Sequence, residues 1–160
     1  MVVMPSWMRI ILASGLCFAA GAISALYITP QSLNWYSSLN IPLFFAMPLP
    51  TLFFVLVVSY ALVSIASSLM WIYDPKPWDF RGWVPLFFTH LLLTMAWLIL
   101  FFSYNVVFVA LVVACILATF VLMLTAGAWH RSRIAFWLLV PYLAWTLYAL
   151  GMNIAVWFSY

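Results

Sequence analysis

The feature that most constrains this chain is where its few charged residues lie. Five residues are Lys or Arg and two are Asp or Glu in a chain of 160, and they lie near the N-terminus or in short polar segments. The rest of the chain contains five long apolar segments, each close to the roughly 20 residues that a helix needs to cross a bilayer. Since 70% of the residues are hydrophobic, the sequence predicts an integral membrane protein.

We therefore predict an all-α membrane protein, a bundle of five transmembrane helices forming a single domain over residues 1–160. Thr29 and Pro30 are expected to end the first helix, and a long loop is expected between the first two helices. A loop of this length in so compact a protein is often a lid or a binding loop. The predicted spans are about 7–28, 48–73, 83–103, 105–128 and 134–158.

The basic residues predict the orientation of the bundle. Arg9, Lys76, Arg81, Arg131 and Arg133 all lie on the side of the membrane that the N-terminus shares with the second and fourth loops. By the positive-inside rule, the N-terminus is expected to be cytoplasmic in a bacterial inner membrane. The rule concerns inner-membrane insertion, so the bacterial or mitochondrial outer membrane remains an alternative.

The charges also exclude several functions. Apart from Arg9 at the start of the first span, no Asp, Glu, Lys or Arg falls inside a predicted span, which disfavours an ion-coupled carrier. Both acids lie in one loop, so a Ser-His-Asp catalytic triad is not expected. Five basic side chains are too few for a nucleic-acid surface, and the lipid bilayer is the first partner that we expect.

The fifth span carries a stripe of polar, aromatic and small residues. Trp145, Tyr148, Ala149, Met152 and Asn153 share one face at helical spacing. Residues of this kind inside a membrane usually face other helices or a cavity. We therefore expect this face to look inward, at protein or at a ligand.

A second stripe, on the third span, consists of His90, Thr94, Trp97 and Phe101. The tryptophans of the two stripes, Trp97 and Trp145, could line a cavity for a flat apolar ligand, or they could simply fill the core. His90 could ligate a haem iron, or it could be a neutral histidine held by a hydrogen bond between helices. No second metal ligand accompanies it, so no metal site is predicted.

The first span carries a stripe of small residues, Gly15, Ala19, Ala22 and Ala25. Small residues let a neighbouring helix approach closely. We expect this stripe to pack within the molecule, with a homodimer seam as the alternative.

Three blocks of sequence lie in order along the chain. The first loop reads WYSSLNIP at 35–42, the third span reads HLLLTMAWLILFF at 90–102, and the fifth reads PYLAW at 141–145, followed by Asn153 and Trp157. With these blocks the chain resembles, over nearly its whole length, the translocator protein family (TspO/MBR), also called the tryptophan-rich sensory protein or peripheral-type benzodiazepine receptor family.

The resemblance implies a five-helix bundle with a central pocket that the first loop closes. The implied ligands are flat and apolar: tetrapyrroles such as protoporphyrin IX or haem, sterols, and benzodiazepine-site drugs. Members are often dimers, and porphyrin breakdown driven by light or oxygen has been proposed for some. By matched position the pocket would be lined by Trp97, Trp145, Ala149 and Asn153, and the lid would contain Trp35, Tyr36 and Pro42.

This chain departs from the family pattern at informative positions. Ile41 stands where the family often has Lys, and the first loop carries no basic residue, which favours neutral ligands over the anionic tetrapyrroles. The family's second-helix tryptophan falls on Val55 or Leu56, so half of a proposed catalytic tryptophan pair is missing. The Gln and Asn of the family's third helix are replaced by His90 and Thr94.

We therefore expect a membrane receptor or transport-associated protein, and not an enzyme, that binds flat apolar ligands between its helices. No cofactor is required on this hypothesis, and haem or protoporphyrin IX would be a ligand. The alternatives are a porphyrin-degrading enzyme that uses light or oxygen, and a structural membrane subunit without a ligand.

Overall fold

The computed structural model describes residues 5–45, 47–73 and 82–159, and it confirms the all-α fold. Five of its helices are long and apolar enough to cross a membrane, and no strand occurs in the described ranges. The protein is therefore an integral, multi-pass membrane protein. The helices are α1 (Ser6–Leu26), α2 (Pro30–Ser38), α3 (Leu49–Tyr73), α4 (Trp83–Leu98), α5 (Val107–Arg131) and α6 (Arg133–Ser159).

The long first loop contains the short helix α2, which the sequence analysis did not predict. The Thr29 side chain accepts a hydrogen bond from the backbone N–H of Ser32, and the Ser32 hydroxyl accepts one from the backbone N–H of Thr29, each at 3.2 Å. Pro30 follows at the first helical position, where its missing N–H costs nothing. Thr29 and Pro30 thus do more than end α1, because they also start α2.

α4 ends in a π-helical turn, Ile99–Ser103. Such a turn changes the angular register of the following side chains and is frequent at functional sites. Here the adjacent rings of Phe101 and Phe102 are both almost fully buried. The chain then leaves the helix through Asn105, whose φ of 54° lies in the left-handed region that Asn tolerates.

The loop between the predicted spans 105–128 and 134–158 is shorter than expected. α5 continues to Arg131, and only Ser132 has an extended conformation before α6 begins. At the same end of the bundle, Arg9 donates a hydrogen bond to the Trp71 carbonyl at the C-terminus of α3, at 3.2 Å. Lys76 and Arg81, which also entered the orientation argument, lie outside the described residues.

The bundle packs mainly through α5 against α6, α1 against α3, α3 against α6 and α4 against α5. The small-residue stripe of α1 does not lie in these interfaces, so the expectation of packing within the molecule is wrong. Gly15, Ala19, Ala22 and Ala25 are all exposed. The buried face of α1 is instead formed by Ala13, Cys17, Ala20 and Ser24.

Candidate ligand cavity

A small cavity lies at the centre of the bundle, between α3, α4, α5 and α6. Its volume is about 30 Å³, whereas a cavity of about 150 Å³ is known to hold benzene. In this conformation it has room for a water molecule or two and not for a ring compound. The residues that line it are Leu56, Ser59, Tyr60, Val63, His90, Thr94, Trp97, Ala114, Leu117, Tyr142, Trp145, Thr146, Ala149 and Leu150.

Five residues predicted from the two stripes lie on this cavity wall. His90, Thr94 and Trp97 come from α4, where steps of four and three residues keep them on one face. Trp145 and Ala149 come from α6, one turn apart. The fold therefore brings the polar and aromatic centres of both stripes together around one cavity.

His90 is held by a hydrogen bond between helices. Its Nε2 atom lies 2.6 Å from the hydroxyl oxygen of Tyr142 on α6, and both side chains are buried. Thr94 donates to the backbone carbonyl of His90, one turn earlier, at 2.9 Å. This is the arrangement expected of a neutral histidine that joins two helices, and no group of three metal-ligating side chains occurs in the part of the chain that the structure describes.

Aromatic rings connect the cavity wall to the first loop. Trp97 stacks on Phe101 with ring centroids 5.7 Å apart and an interplanar angle of 21°. Trp35 of α2 contacts the same Phe101 ring edge-on at 5.4 Å. Phe101 thus lies between the cavity and the lid helix, and it does not line the cavity itself.

Tyr36 fixes α2 to the bundle. Its ring is buried and lies 5.8 Å from that of Phe102. Its hydroxyl donates to the Met47 carbonyl at 3.4 Å and contacts the Met152 sulfur at 3.6 Å. Burial raises the pKa of Tyr36 above its ordinary value, so the phenol stays protonated and able to donate.

The second half of the loop packs on α6 at Tyr148 and Gly151. The Tyr148 hydroxyl donates to the Phe44 carbonyl at 3.1 Å, and its ring stacks on Trp145 at 5.7 Å. A Cβ atom on Gly151 would lie only 2.8 Å from the Phe45 ring. Tyr148 therefore holds the lid and does not line the cavity.

The remaining predicted residues lie near the cavity but not on its wall. Pro42 is exposed in the loop, where its carbonyl accepts a hydrogen bond from the Phe45 N–H at 2.8 Å. Met152 and Asn153 are fully buried on α6. Neither amide atom of Asn153 has a hydrogen-bond partner among the described residues.

Sequence reasoning missed several wall residues, above all Tyr142 and Thr146 of α6 and Ser59 of α3. The inward face of α6 is centred on Tyr142, Thr146 and Ala149, about a third of a turn away from Tyr148. The signal was available, since a Tyr and a Thr one turn apart in an apolar helix form a polar stripe of their own. The prediction instead placed the inward face on the side of the larger rings, Trp145 and Tyr148.

Comparison with known proteins decides the family. The TspO/MBR family model matches residues 13–158, which covers three of the membrane-length helices completely and most of the first and last. The chain belongs to the TspO/MBR family. Membership places it among membrane proteins associated with sensing and transport. A relative, the tryptophan-rich protein TspO of Archaeoglobus fulgidus, is 30% identical over 147 residues, which cover 91% of this chain and 94% of the relative.

Within this TspO/MBR protein, Leu56 and not Val55 lines the cavity, together with Trp145. Of the two positions onto which the family's second-helix tryptophan could fall, Leu56 is therefore the one that faces the predicted site. The cavity has an aliphatic side chain there.

Proposed function

We propose that this protein is a receptor or transport-associated protein that binds flat, neutral, largely apolar ring compounds between its helices. The main observation behind this proposal concerns Trp97, which lines the cavity. Its indole N–H is buried and has no acceptor among the described residues. A buried tryptophan N–H usually has a partner. An acceptor on a bound ligand, such as a carbonyl oxygen, would provide it.

The charges favour a neutral ligand. The cavity wall carries no acidic or basic residue other than His90, and 31–49 contains no Lys or Arg. An anion such as protoporphyrin IX would need charge-assisted hydrogen bonds for its propionates. A porphyrin ester, a sterol or a benzodiazepine-site drug makes no such demand, so these rank above protoporphyrin IX and haem as ligands.

The size of the cavity favours a second candidate, a structural membrane subunit without a ligand. A volume of about 30 Å³ cannot hold a ring compound unless side chains or helices move. The two candidates therefore differ in one property: a receptor must open, and a structural subunit need not.

Light-dependent porphyrin breakdown is a weaker alternative. Trp145 lies on the cavity wall, but the partner position is the aliphatic Leu56, whose side chain cannot be oxidised as an indole can. Illumination of the complex with protoporphyrin IX, followed by absorption spectra, tests this alternative. A new absorbing product that depends on Trp145 would support enzymatic porphyrin breakdown.

Titration of the protein in nanodiscs tests the proposed function. Protoporphyrin IX, its dimethyl ester, haem and a sterol are added while tryptophan emission is followed. We expect the ester to bind more tightly than the free acid, and Trp97→Ala and Trp145→Ala to weaken binding by about tenfold or more. Trp137→Ala is the control, because Trp137 is 65% exposed on α6.

Unchanged binding in both cavity variants would contradict the pocket assignment. If none of the ring compounds binds to the unmodified protein, the structural subunit is the better description.

We also propose a cytoplasmic N-terminus in a bacterial inner membrane. Arg9 lies beside the C-terminal end of α3, and Arg131 and Arg133 flank the α5–α6 junction, so these described cations lie at one end of the bundle. A reporter enzyme active only in the cytoplasm, fused to the N-terminus, tests the orientation. An inactive reporter at the N-terminus, together with an active one fused to the C-terminus, would overturn it.

A further inference from the structure

A second cavity of about 280 Å³ lies between α1 and α3, and we call it the α1–α3 groove. It exceeds the roughly 150 Å³ that accommodates benzene, so it has room for a compound of more than one ring. Several of its residues are exposed on the lipid-facing surface, among them Phe18 and Val57. It is lined by Phe18, Gly21, Ala22, Ser24, Ala25, Ile28, Phe53, Leu56, Val57, Tyr60 and Leu98.

Leu56 and Tyr60 line both the α1–α3 groove and the central cavity. These two side chains, one turn apart on α3, therefore form the partition between the two spaces. Side chains change rotamer far more readily than packed helices move. Rotation of the partition would join the small central cavity to a larger chamber that opens towards lipid.

The contact between Tyr60 and Gly21 gives this partition its shape. A Cβ atom on Gly21 would lie 3.3 Å from the Tyr60 ring, so the glycine makes room for the ring against α1. The Tyr60 hydroxyl is buried, and although the Ser24 side chain lies within its reach, the two make no hydrogen bond of good geometry, because Ser24 donates to the Ala20 carbonyl. A ligand acceptor would satisfy this donor and would compensate for displacing the ring.

The opposite approach to the cavity is closed. Trp35, Phe101 and Trp97 contact one another in sequence between α2 and the cavity wall. A ligand arriving from the aqueous side would have to separate three packed aromatic rings. A membrane-dissolved ligand arriving through the α1–α3 groove would have to displace only Leu56 and Tyr60.

We propose that the α1–α3 groove is the bilayer-side entrance and outer chamber of the ligand site, with Leu56 and Tyr60 as its gate. The proposal rests on the proposed function. Its ligand is a flat, neutral ring compound that partitions into the membrane and carries an acceptor, such as a ketone oxygen, for the Tyr60 hydroxyl. The exposed small residues Ala22 and Ala25 then serve to keep the chamber open.

Groove filling tests the entrance. Tritiated fluorenone, a flat three-ring ketone, is added to the full-length protein in nanodiscs, and its association is followed by scintillation proximity with empty nanodiscs as background. Ala25→Phe fills the groove, whereas Ala19→Phe adds the same ring on the same exposed stripe of α1 outside the groove lining. We expect association to slow about tenfold in Ala25→Phe and to remain within about twofold in Ala19→Phe.

The gate residue is tested by comparing fluorenone with fluorene, which has the same rings without the ketone. Tyr60→Phe keeps the ring and removes the hydroxyl. We expect the affinity for fluorenone to fall about fivefold, in line with the loss of one hydrogen bond, and the affinity for fluorene to stay unchanged. An equal effect on both probes would overturn the role of the hydroxyl.

The outcomes separate this proposal from the one on which it rests. If porphyrin ester or fluorenone binds and Ala25→Phe leaves its association rate unchanged, the entrance is wrong while the proposed function stands. If Ala19→Phe and Ala25→Phe slow association equally and both abolish a dimer seen by light scattering, the stripe is an interface with a second copy, and the entrance is again wrong. If no ring compound binds to the unmodified protein, both proposals fail.

Discussion

The Nε2 atom of His90 lies 2.6 Å from the hydroxyl oxygen of Tyr142, and this contact joins α4 to α6 beside the central cavity. Both residues are almost fully buried, so neither is in contact with bulk water. In a membrane the hydrophobic effect contributes little to the association of helices, which depends instead on hydrogen bonds and close packing. The pair therefore stabilises the two helices that carry most of the predicted site residues.

Replacing Tyr142 by Phe should destabilise the protein by about 1 kcal/mol, because the His90 Nε2 atom loses its nearer partner and keeps only the Thr94 hydroxyl at 3.5 Å. The measurement is the free energy of unfolding in mixed micelles, taken also for His90→Leu and the double variant. We expect the two single effects to be non-additive. Tyr104→Phe is the control, since Tyr104 is 66% exposed, and additivity of His90→Leu and Tyr142→Phe would contradict the pairing.

Gly151→Ala should loosen the first loop from α6, because the new Cβ would lie 2.8 Å from the Phe45 ring. Chymotrypsin cleavage of the loop in nanodiscs reports this change, and we expect cleavage to accelerate several-fold as local opening becomes easier. Gly15→Ala is the matched control, since no atom lies within 4 Å of its added Cβ. A second replacement, Phe45→Ala, should restore the slow cleavage of the loop near α2. If cleavage stays fast in the double variant, the contact between position 151 and the Phe45 ring is not the cause of the loosening.

Tyr36 should hold α2 mainly through its ring. Tyr36→Phe removes two long contacts, at 3.4 and 3.6 Å, and should cost less than about 1 kcal/mol, whereas Tyr36→Ala also removes the buried ring and should cost about 3 kcal/mol or more. Thermal unfolding of both variants checks the order. Equal losses would mean that the hydroxyl is the important group.

The pH dependence of the same contact follows from the raised pKa of Tyr36, which burial causes. The protonated phenol is favoured in the folded state, so its contribution is fully present below the unfolded pKa of about 10 and is lost as the pH rises through the folded value. Loop protection from chymotrypsin should therefore be constant at neutral pH and weaken only in alkaline buffer. Tyr36→Phe should reduce that alkaline change, and the remainder should come from Tyr148, whose hydroxyl also holds the loop.

Asn153→Leu should stabilise the ligand-free protein by about 1 kcal/mol, because neither atom of the buried amide has a partner in the described structure. Leu has the same number and branching of side-chain heavy atoms as Asn and needs no hydrogen bond. Thr146→Val is the comparison: the Thr146 hydroxyl donates to the Tyr142 carbonyl at 2.9 Å, so its loss should not stabilise. A lower unfolding temperature for Asn153→Leu would show that the amide is satisfied in the folded protein.

The transmembrane spans were predictable because lipid imposes a length and an apolar composition on every crossing segment. Short helices and irregular turns of the backbone were less predictable. α2 was not predicted because Thr29 and Pro30 were interpreted only as the end of the first span. Thr followed by Pro is also a helix-start signal, and the hydrogen bonds between Thr29 and Ser32 confirm the start of α2 here. The π-helical turn that buries the adjacent Phe101 and Phe102 could not be predicted from hydrophobic periodicity, because it departs from the roughly 3.6-residue period of an α-helix.

The candidate site was predictable in part. Helical spacing placed His90, Thr94 and Trp97 on one face, and the structure brings that face to the cavity. Spacing says nothing about which neighbour a face meets, so Tyr148 was assigned to the pocket although it holds the lid. For the same reason the stripe that includes Ala22 was expected inside the bundle and lies on its surface.

By itself the sequence determined that this protein crosses a membrane with five apolar helices, which family it belongs to, and which polar faces are too costly to leave in lipid. The tertiary structure alone decided how those faces combine. The cavity of about 30 Å³ and the α1–α3 groove are formed by side chains of several helices, and Leu56 and Tyr60 line both. The volume of a cavity and the access to it depend on side chains from different helices, so they cannot be predicted from the periodicity of one helix.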